Sequence, residues 1–451
     1  MMPELISSSV RRGVLGMGHT GRSVARHWKA QGIPFIAMDT RADLANDLTL
    51  RRELEGVEAH FGEISETVLK QVDLLIASPG IAMDSAVIGL AQSLNIEVRG
   101  DIDLFAGEAQ APVIGITGSN GKSTVTTFVG HLLTSCGLNV SVGGNLGTPA
   151  LELLNDPVDA HVLELSSFQL ERAGDLNLAV AAVLNLSPDH LDRHHSMPLY
   201  HLAKHRIFAG AQHVVANYRD SLTQPVGKGD VPWTLWRDNE PDIKQLGVRN
   251  HEGAPWICFG FEPLYPLSDV PLVGHHNVNN VLAALAICHA MGLPYEQLVT
   301  GIKTLKGLPH RCELVGVRDG VQFVNDSKGT NVGATVAALE GLADGRNVIL
   351  IAGGEGKGQA FAPLAKAASQ HAKHMVLIGC DAVRIAEVLD ATTPHTFSDA
   401  MEAAVRTATD IATSGDIVLL SPACASLDMF ADYRARGDAF TAAVRDCEEV
   451  S

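Results

Sequence analysis

The sequence predicts an α/β protein of three domains, each built on a largely parallel, doubly wound sheet. Three observations predict it. The first hundred residues alternate short apolar runs, at 13–15, 35–38 and 74–77, with helix-patterned stretches. The last third repeats that alternation, with apolar runs at 321–324, 348–352, 374–378 and 417–420. Between them, Pro-Val-Ile-Gly-Ile-Thr-Gly-Ser-Asn-Gly-Lys-Ser-Thr at 112–124 reads as a buried strand, a glycine-bracketed turn and the start of a helix. A chain of 451 residues accommodates three cores. The domains are expected at 1–100 (Rossmann-like), 101–307 (P-loop) and 308–451 (again dinucleotide-fold-like).

Composition narrows the partners. Lys and Arg number 34 against 51 Asp and Glu, a formal charge of −17, which disfavours a nucleic acid or an anionic membrane. The N-terminal stretch has no apolar signal core and the longest apolar runs are strand-length, so an unexported, cytoplasmic chain is expected. Seven cysteines, Cys136, Cys258, Cys288, Cys312, Cys380, Cys424 and Cys447, are scattered and never form C-x-x-C. This fits a reducing compartment, argues against a structural zinc and makes most of them small core residues.

In the first domain Gly16, Gly18 and Gly21 form G-x-G-x-x-G after the first strand. Asp39 ends the second, where a dinucleotide fold places its ribose-binding acid. The same turn holds any diphosphate against a helix N-terminus, so NAD and another nucleotide diphosphate both fit. Ser78, Pro79 and Gly80 close the next strand at the crevice.

The central domain opens on Gly118, Ser119, Asn120, Gly121, Lys122, Ser123 and Thr124. Backbone N–H groups of such a loop point into one concavity and the helix at 125–136 adds partial positive charge. Lys122 reaches terminal phosphates and Ser123 or Thr124 holds magnesium, so a nucleoside triphosphate is expected. The strict G-x-x-x-x-G-K-[ST] pattern is not met, because position 116 is Ile116; this is a tighter variant. A strand at 162–165 delivers Glu164, between Leu163 and Leu165, to where a second magnesium contact or a water-positioning group is needed. A strand at 180–185 leads to Asp189, His190, Asp192, Arg193, His194 and His195, which read equally as a metal site or a solvated turn. Lys204 lies on the inner side of a helix, between Leu202 and Ile207, and its plain reading is a buried stem with an ammonium in water. Residues 218–256 read as peripheral strands and loops, and 274–280 open an alanine-rich helix with Asn277 as N-cap.

In the last domain polar residues gather where strands end, at 325–331, 353–357 and 421–428, the edge at which such sheets bind ligands.

Together these motifs resemble the Mur ligase family, the ATP-dependent amide ligases of peptidoglycan precursor synthesis, and within it the D-glutamate-adding branch. The resemblance spans essentially the whole chain. Besides 118–124 it is carried by Glu-Leu-Ser-Ser-Phe-Gln-Leu-Glu at 164–171, Asp-His-Leu-Asp-Arg at 189–193 and Leu-Pro-His-Arg-Cys-Glu at 308–313. Asn-Asp-Ser-Lys at 325–328 and Ser-Pro-Ala-Cys-Ala-Ser-Leu-Asp at 421–428 complete it.

The resemblance implies transfer of the γ-phosphoryl group of ATP to the carboxylate of UDP-N-acetylmuramoyl-L-alanine, then attack by the amine of D-glutamate, in a monomer with two magnesium ions. It implies that Lys122, Glu164, His190 and Lys204 are catalytic, with Ser123 and Glu164 on one magnesium. His190 and a carbamylated Lys204 would hold the other. ATP would be held by 118–124 with His276, Asn277, Asn280, Arg311 and Asp326. The UDP-sugar would meet His19, Thr20, Asp39, Thr40, Arg41, Ser78, Gly80, Asn145, Ser166 and His190, which turns the dinucleotide fingerprint into a UDP site. D-Glutamate would meet Thr330, Lys357, Ser426 and Tyr433. The chain departs from the family pattern at His19, where an aliphatic residue is usual, and at Tyr433, where phenylalanine is. ATP contacts from two domains imply a hinge at 306–308. His194 and His195 are expected to be solvated loop histidines first and metal ligands second.

Three other readings compete. A nicotinamide-dependent oxidoreductase rests on Gly16, Gly18, Gly21 and Asp39 but leaves the motifs after residue 160 unexplained. A P-loop switch or transport ATPase would turn over ATP without an amino-acid acceptor. A sibling ligase, such as a folate-polyglutamylating enzyme, would add a different amino acid.

Overall fold

Three sheets, each formed by one continuous stretch of chain, carry the fold in a computed structural model that describes residues 10–227, 230–272 and 274–449. Residues 1–9 of the N-terminal stretch and the Cys447 side chain lie outside that description. The first sheet contains β1 (Arg12–Leu15), β2 (Phe35–Asp39), β3 (Glu58–Phe61), β4 (Leu74–Ala77) and β5 (Glu97–Arg99), all parallel, in the order β3-β2-β1-β4-β5. β3 and β5 escape a reading by apolar runs because they are edges, Glu-Ala-His-Phe and Glu-Val-Arg, with exposed charged residues.

The second sheet contains β6 (Val113–Thr117), β7 (Val140–Gly144), β8 (Ala160–Glu164), β9 (Val180–Val183), β10 (Val214–Asn217), β11 (Trp233–Trp236), β12 (Gln245–His251), β13 (Ala254–Phe259) and β14 (Glu262–Pro266). Its order is β14-β13-β12-β11-β10-β9-β6-β8-β7. The part from β7 to β12 is parallel, and the peripheral stretch closes it as an antiparallel β12-β13-β14 meander. β6, β8 and β9 are buried at every position, as strands covered by helices on both faces must be. On one face, helix Lys122–Ser135 packs against helix His275–Ala290 over Ile114, Val162 and Val180.

The third sheet contains β15 (Glu313–Arg318), β16 (Val321–Asn325), β17 (Val348–Gly353), β18 (Ala372–Ile378), β19 (His395–Phe397) and β20 (Ile417–Leu420), in the order β15-β16-β20-β17-β18-β19. Only β15 is antiparallel among them.

Two local readings are corrected. Helix Lys122–Ser135 starts three residues earlier than periodicity places it, with Gly121 as N-cap at φ +79. A Cβ at Gly121 would sit 2.7 Å from Asn280 Oδ1, so both the backbone and the close approach demand glycine there. Helix His275–Ala290 is capped by Gly274 at φ +92, which leaves Asn277 inside its first turn, accepting from Asn280 Nδ2 at 3.2 Å. Among the six described cysteines, all free, Cys258, Cys288, Cys312 and Cys424 are buried. Among the described residues no helix is long and apolar enough to cross a membrane.

Candidate active site

The C-terminal ends of β6, β8 and β9 meet those of the third sheet across a cleft of about 780 Å³. It is lined by Ser119, Asn120, Gly121, Lys122, Ser123, Thr124, Asn145, Glu164, Ser166, His190 and Lys204 from the central domain. His276, Asn277 and Asn280 join them from the helix that packs behind the loop, and Arg311, Asp326, Thr330, Lys357 and Tyr433 face them from the third domain. Gly118 contributes its carbonyl from behind. Ser426 is buried and is not among the lining residues. The first-domain set is not in this cleft; it sits where the chain leaves β1, β2 and β4, the strand ends at which such a sheet has its switch crevice.

The phosphate loop is braced from β9. Asn120 N–H donates to Asn185 Oδ1 at 2.9 Å, and Asn185 Nδ2 donates to Asn120 O at 3.0 Å. Ser119 Oγ meets Tyr200 Oη at 3.0 Å and donates to Ser187 O at 2.9 Å. The Lys122 ammonium is folded back on the carbonyls of Gly118 and Ser119, both at 2.9 Å, and burial lowers its pKa. Ser123 Oγ accepts from Arg311 Nη2 at 2.7 Å, a bond from one domain to another.

Glu164 is 2 % exposed at the end of β8. Its Oε1 accepts from Asn145 Nδ2 at 2.5 Å, and its Oε2 is buried without a hydrogen-bond partner. An orphaned carboxylate oxygen beside a phosphate loop fits a hard cation. Among the described residues no three His, Cys, Asp or Glu side chains cluster closely enough to hold a metal alone, so the remaining donors would have to be phosphate, water or another side chain.

His190 takes a left-handed backbone, φ +52, and opens the short helix Leu191–His194. Its imidazole lies 3.6 Å from Asp189 Oδ2 and edge-on to Phe168 at 4.9 Å. Burial lowers its pKa, with Lys122, Lys357 and Lys204 pushing the same way against Asp189, so the ring is held neutral, the form that binds metals.

Lys204 does not reach water as its plain reading supposes. It is 1 % exposed, and its nitrogen donates to Gly118 O at 2.8 Å and Thr117 Oγ1 at 3.3 Å beneath the phosphate loop, 4.8 Å from the Tyr200 ring centre. Burial, then Lys122, pushes its pKa well below the usual lysine value. Leu202, expected beside it, is exposed. His194 is likewise corrected: the turn at His190 sends it inward, 5 % exposed, bonded to Ser167 Oγ at 2.9 Å and stacked on Phe168 at 5.5 Å. His195 is exposed, with its ring 3.1 Å from Asp84 Oδ2. The Ser166 hydroxyl caps helix Ser167–Leu170, accepting from Gln169 N–H at 3.2 Å.

On the third-domain side, Asp326 accepts from Ser421 Oγ at 2.7 Å and from Cys312 N–H at 3.2 Å, and burial pushes its carboxyl up to about 6. His276 is pushed down to about 4 by burial. Lys357 holds a left-handed backbone, φ +48, at the loop after β17.

Two residues were absent from the expected site. Lys328 stands over the Tyr433 ring at 3.9 Å, and burial followed by Arg311 and Lys122 lowers it to about 8. Asn331 donates from Nδ2 to Asn120 Oδ1 and to Asp189 Oδ2, both at 3.1 Å, tying the third domain to the loop and to the turn before His190. Both stand in the polar run 325–331, the one available signal.

In the first domain Gly16, Gly18 and Gly21 follow β1, and a Cβ at Gly21 would lie 1.8 Å from Gly16 O. Asp39 is 1 % exposed. It accepts from Met17 N–H at 2.6 Å and from Arg41 N–H, Nε and Nη2 at 2.9, 3.0 and 2.7 Å. Burial alone would raise this carboxyl; the bonds from Arg41 and Met17 outweigh it and hold it below the usual value. Ser78 Oγ donates to Gly16 O at 2.6 Å across the switch between β1 and β4. His19, Thr40, Arg41 and Gly80 are exposed at these strand ends, with Thr20 half-buried.

Three family models match the chain. They are the Mur ligase MurD-like N-terminal domain over residues 11–100, the Mur ligase middle domain over 116–288 and the Mur ligase glutamate ligase domain over 310–424. The UDP-N-acetylmuramoylalanine–D-glutamate ligase of Pseudomonas syringae pv. syringae (strain B728a) is 47% identical over 98% of this chain and 99% of its own length. That of Pseudomonas aeruginosa is 46% identical over the same shares. Among solved structures, a UDP-N-acetylmuramate-alanine ligase from Thermotoga maritima superposes with TM-score 0.60 at 18% identity, covering 97% of this chain and 100% of its own. A pseudomurein peptide ligase type C from Methanothermus fervidus does so with TM-score 0.59 at 20% identity, over the same shares. These two likenesses speak to the fold alone. By family models that together span its three sheets and by relatives nearly half identical along its length, the chain belongs to the Mur ligase family.

Proposed function

We propose that this chain is a cytoplasmic, ATP-dependent amide ligase that joins D-glutamate to UDP-N-acetylmuramoyl-L-alanine through an acyl phosphate, in peptidoglycan precursor synthesis. The observation that carries the reading is the cleft. A phosphate loop, Glu164 with an unpartnered buried oxygen, and His190 face the third-domain cations Arg311, Lys328 and Lys357. A reaction that moves a phosphoryl group onto a carboxylate and then expels phosphate gathers negative charge from every reactant, and this cleft answers it with fixed cations and loop N–H groups. The activity in the names of the relatives agrees with it.

In this reading the domain 101–307 holds ATP. The loop 118–124 cradles the phosphates, Lys122 swings from the Gly118 and Ser119 carbonyls to the terminal phosphate, and Arg311 and Asp326 close from the third domain. Ser123 with Glu164, and His190 with Lys204, would hold two magnesium ions, which neutralise phosphate oxygens as Lewis acids. Lys204 suits its place as a carbamate. Its neutral amine attacks carbon dioxide, an N–C bond forms, one proton leaves to solvent, and a carboxylate stands where an amine stood. His19, Thr20, Asp39, Thr40, Arg41, Ser78 and Gly80 of the domain 1–100 take the uridine diphosphate, while Asn145, Ser166 and His190 meet the acyl end. Thr330, Lys357, Ser426 and Tyr433 of the domain 308–451 take D-glutamate, where an ammonium and hydroxyls can hold two carboxylates. Closure about 306–308 excludes water from the acyl phosphate.

The test is phosphate release from ATP with magnesium and UDP-N-acetylmuramoyl-L-alanine, comparing D-glutamate, L-glutamate and no amino acid. Turnover with D-glutamate only is expected. Turnover that ignores the amino acid or the UDP-sugar would replace this reading with an ATPase or a sibling ligase.

A further inference from the structure

Two arginines of the central domain meet backbone carbonyls at the end of β4 and in the loop that follows it. Arg172, with a fully buried side chain, donates from Nη1 to Ala77 O and Ser78 O, both at 2.9 Å, and from Nη2 to Ile81 O at 2.7 Å. Arg193 Nη2 donates to the same Ile81 O at 2.9 Å and to Pro79 O at 3.4 Å. Glu171 Oε1 accepts from both guanidinium groups and fixes their planes. Through Ser78 Oγ, the loop is bonded in turn to Gly16 O of the glycine-rich turn.

Arg193 has a second face. It stands three residues after His190 in the short helix that His190 opens, and its guanidinium lies 5.0 Å from the centre of the Phe168 ring. The same ring meets the His190 imidazole edge-on at 4.9 Å, with His194 stacked on it at 5.5 Å. Crevice loop, Arg193, Phe168 and His190 therefore form one contiguous chain of contacts between the first-domain crevice and the cleft. Glu171 keeps Arg193 paired, and the half-buried guanidinium spends its other bonds on the loop carbonyls, so a shift of the loop must be followed by Arg193 or break those bonds.

We infer that Arg193 is a positioning residue that couples occupancy of the first-domain crevice to the placement of His190, with Glu171 as its anchor. The inference rests on the reading of the crevice as the uridine diphosphate site. It predicts that a nucleoside diphosphate in the crevice tightens binding of the magnesium–nucleotide in the cleft, and that this linkage runs through the Arg193 fork.

The experiment measures the dissociation constant of magnesium with a non-hydrolysable ATP analogue by calorimetry, with and without UDP-N-acetylmuramoyl-L-alanine. It uses the full chain, Arg193→Lys, which keeps the charge but loses the fork, and Glu171→Gln. Turnover of the unsubstituted chain with UDP-sugar and D-glutamate is measured first; its absence would sink the proposed function rather than this inference. With turnover present, we expect the UDP-sugar to tighten the analogue about 10-fold in the unsubstituted chain and less than about 2-fold in either variant. Affinity without UDP-sugar should stay within about 2-fold, which a general loss of structure would not spare. Full coupling retained in whichever variant melts cooperatively, or no coupling in an unsubstituted chain that turns over, overturns the inference.

Discussion

Replacing Lys204 with alanine separates what the side chain does for the fold from what it does for the reaction. Among the described residues its nitrogen is hydrogen-bonded to Gly118 O and Thr117 Oγ1, both neutral, and burial favours the neutral amine. Truncation therefore strands no counter-ion, and the cost of about 3–5 kcal/mol for breaking a buried ion pair does not arise. What is lost is the packing of a buried four-carbon stem, about 2–4 kcal/mol by comparison with other large-to-alanine changes, so the variant should fold with a lowered melting temperature. Activity should fall further. Removing a preorganised charge-stabilising group costs about 100- to 1000-fold in kcat. The assay is phosphate release with and without formate, acetate or propionate, paired with a thermal melt. Partial restoration by the carboxylic acids, and loss of activity by the unsubstituted chain in carbon dioxide-depleted buffer, are the expected results. Normal activity in Lys204→Ala, or rescue by ethylamine and not by acetate, would refute the carbamate.

Arg311→Ala removes the half-buried guanidinium that crosses from the third domain to Ser123. The KM for ATP should rise about 10- to 100-fold, the worth of a charge-assisted hydrogen bond, and an unchanged KM would contradict its placement. Asn331→Asp keeps the acceptor that caps helix Val332–Leu342 through Ala334 N–H but loses the donor to Asn120 and Asp189. The unliganded variant should show a larger radius of gyration by small-angle scattering, and an equal radius would mean these bonds do not hold the domains together. Asp101, fully buried, has its carboxyl pushed up to about 6 by burial against 3.8 for an ordinary aspartate. Between those values the native state binds more protons than the unfolded chain. This group's contribution to stability therefore falls as pH rises through that window, by up to about 3 kcal/mol. Asp101→Asn should flatten that slope and be at least as stable as the unsubstituted chain at pH 8 in urea unfolding; lower stability at pH 8 would show that the carboxylate is better compensated than its burial suggests.

How far the molecule could be read from its sequence depended on whether the signal was local. β6, the phosphate loop and helix Lys122–Ser135 were legible because an apolar run, two glycines and Lys-Ser-Thr each report on the few residues around them. Glu164 was legible from the apolar neighbours that bury it. Asn277 was misread because an asparagine cap and a first-turn asparagine look alike until Gly274 is seen to take φ +92. His194 was misplaced, and the plain reading of Lys204 with its ammonium in water failed, because the left-handed turn at His190 and the underside of the phosphate loop decide what surrounds them, and neither leaves a period in the sequence. The bonds from Arg311 to Ser123 and from Asn331 to Asn120 join residues 188 and 211 positions apart, so only the assembled domains display them.

The central claim is that the cleft activates a carboxylate as an acyl phosphate before an amine takes it. The most direct measurement uses UDP-N-acetylmuramoyl-L-alanine labelled with oxygen-18 in its carboxylate, and reads the mass of the phosphate released with D-glutamate present. The account predicts phosphate carrying one labelled oxygen, because the carboxylate oxygen that attacks the γ-phosphorus leaves with it when the amine displaces it. Unlabelled phosphate would mean that water, not the carboxylate, attacks ATP in this cleft, and would contradict the account.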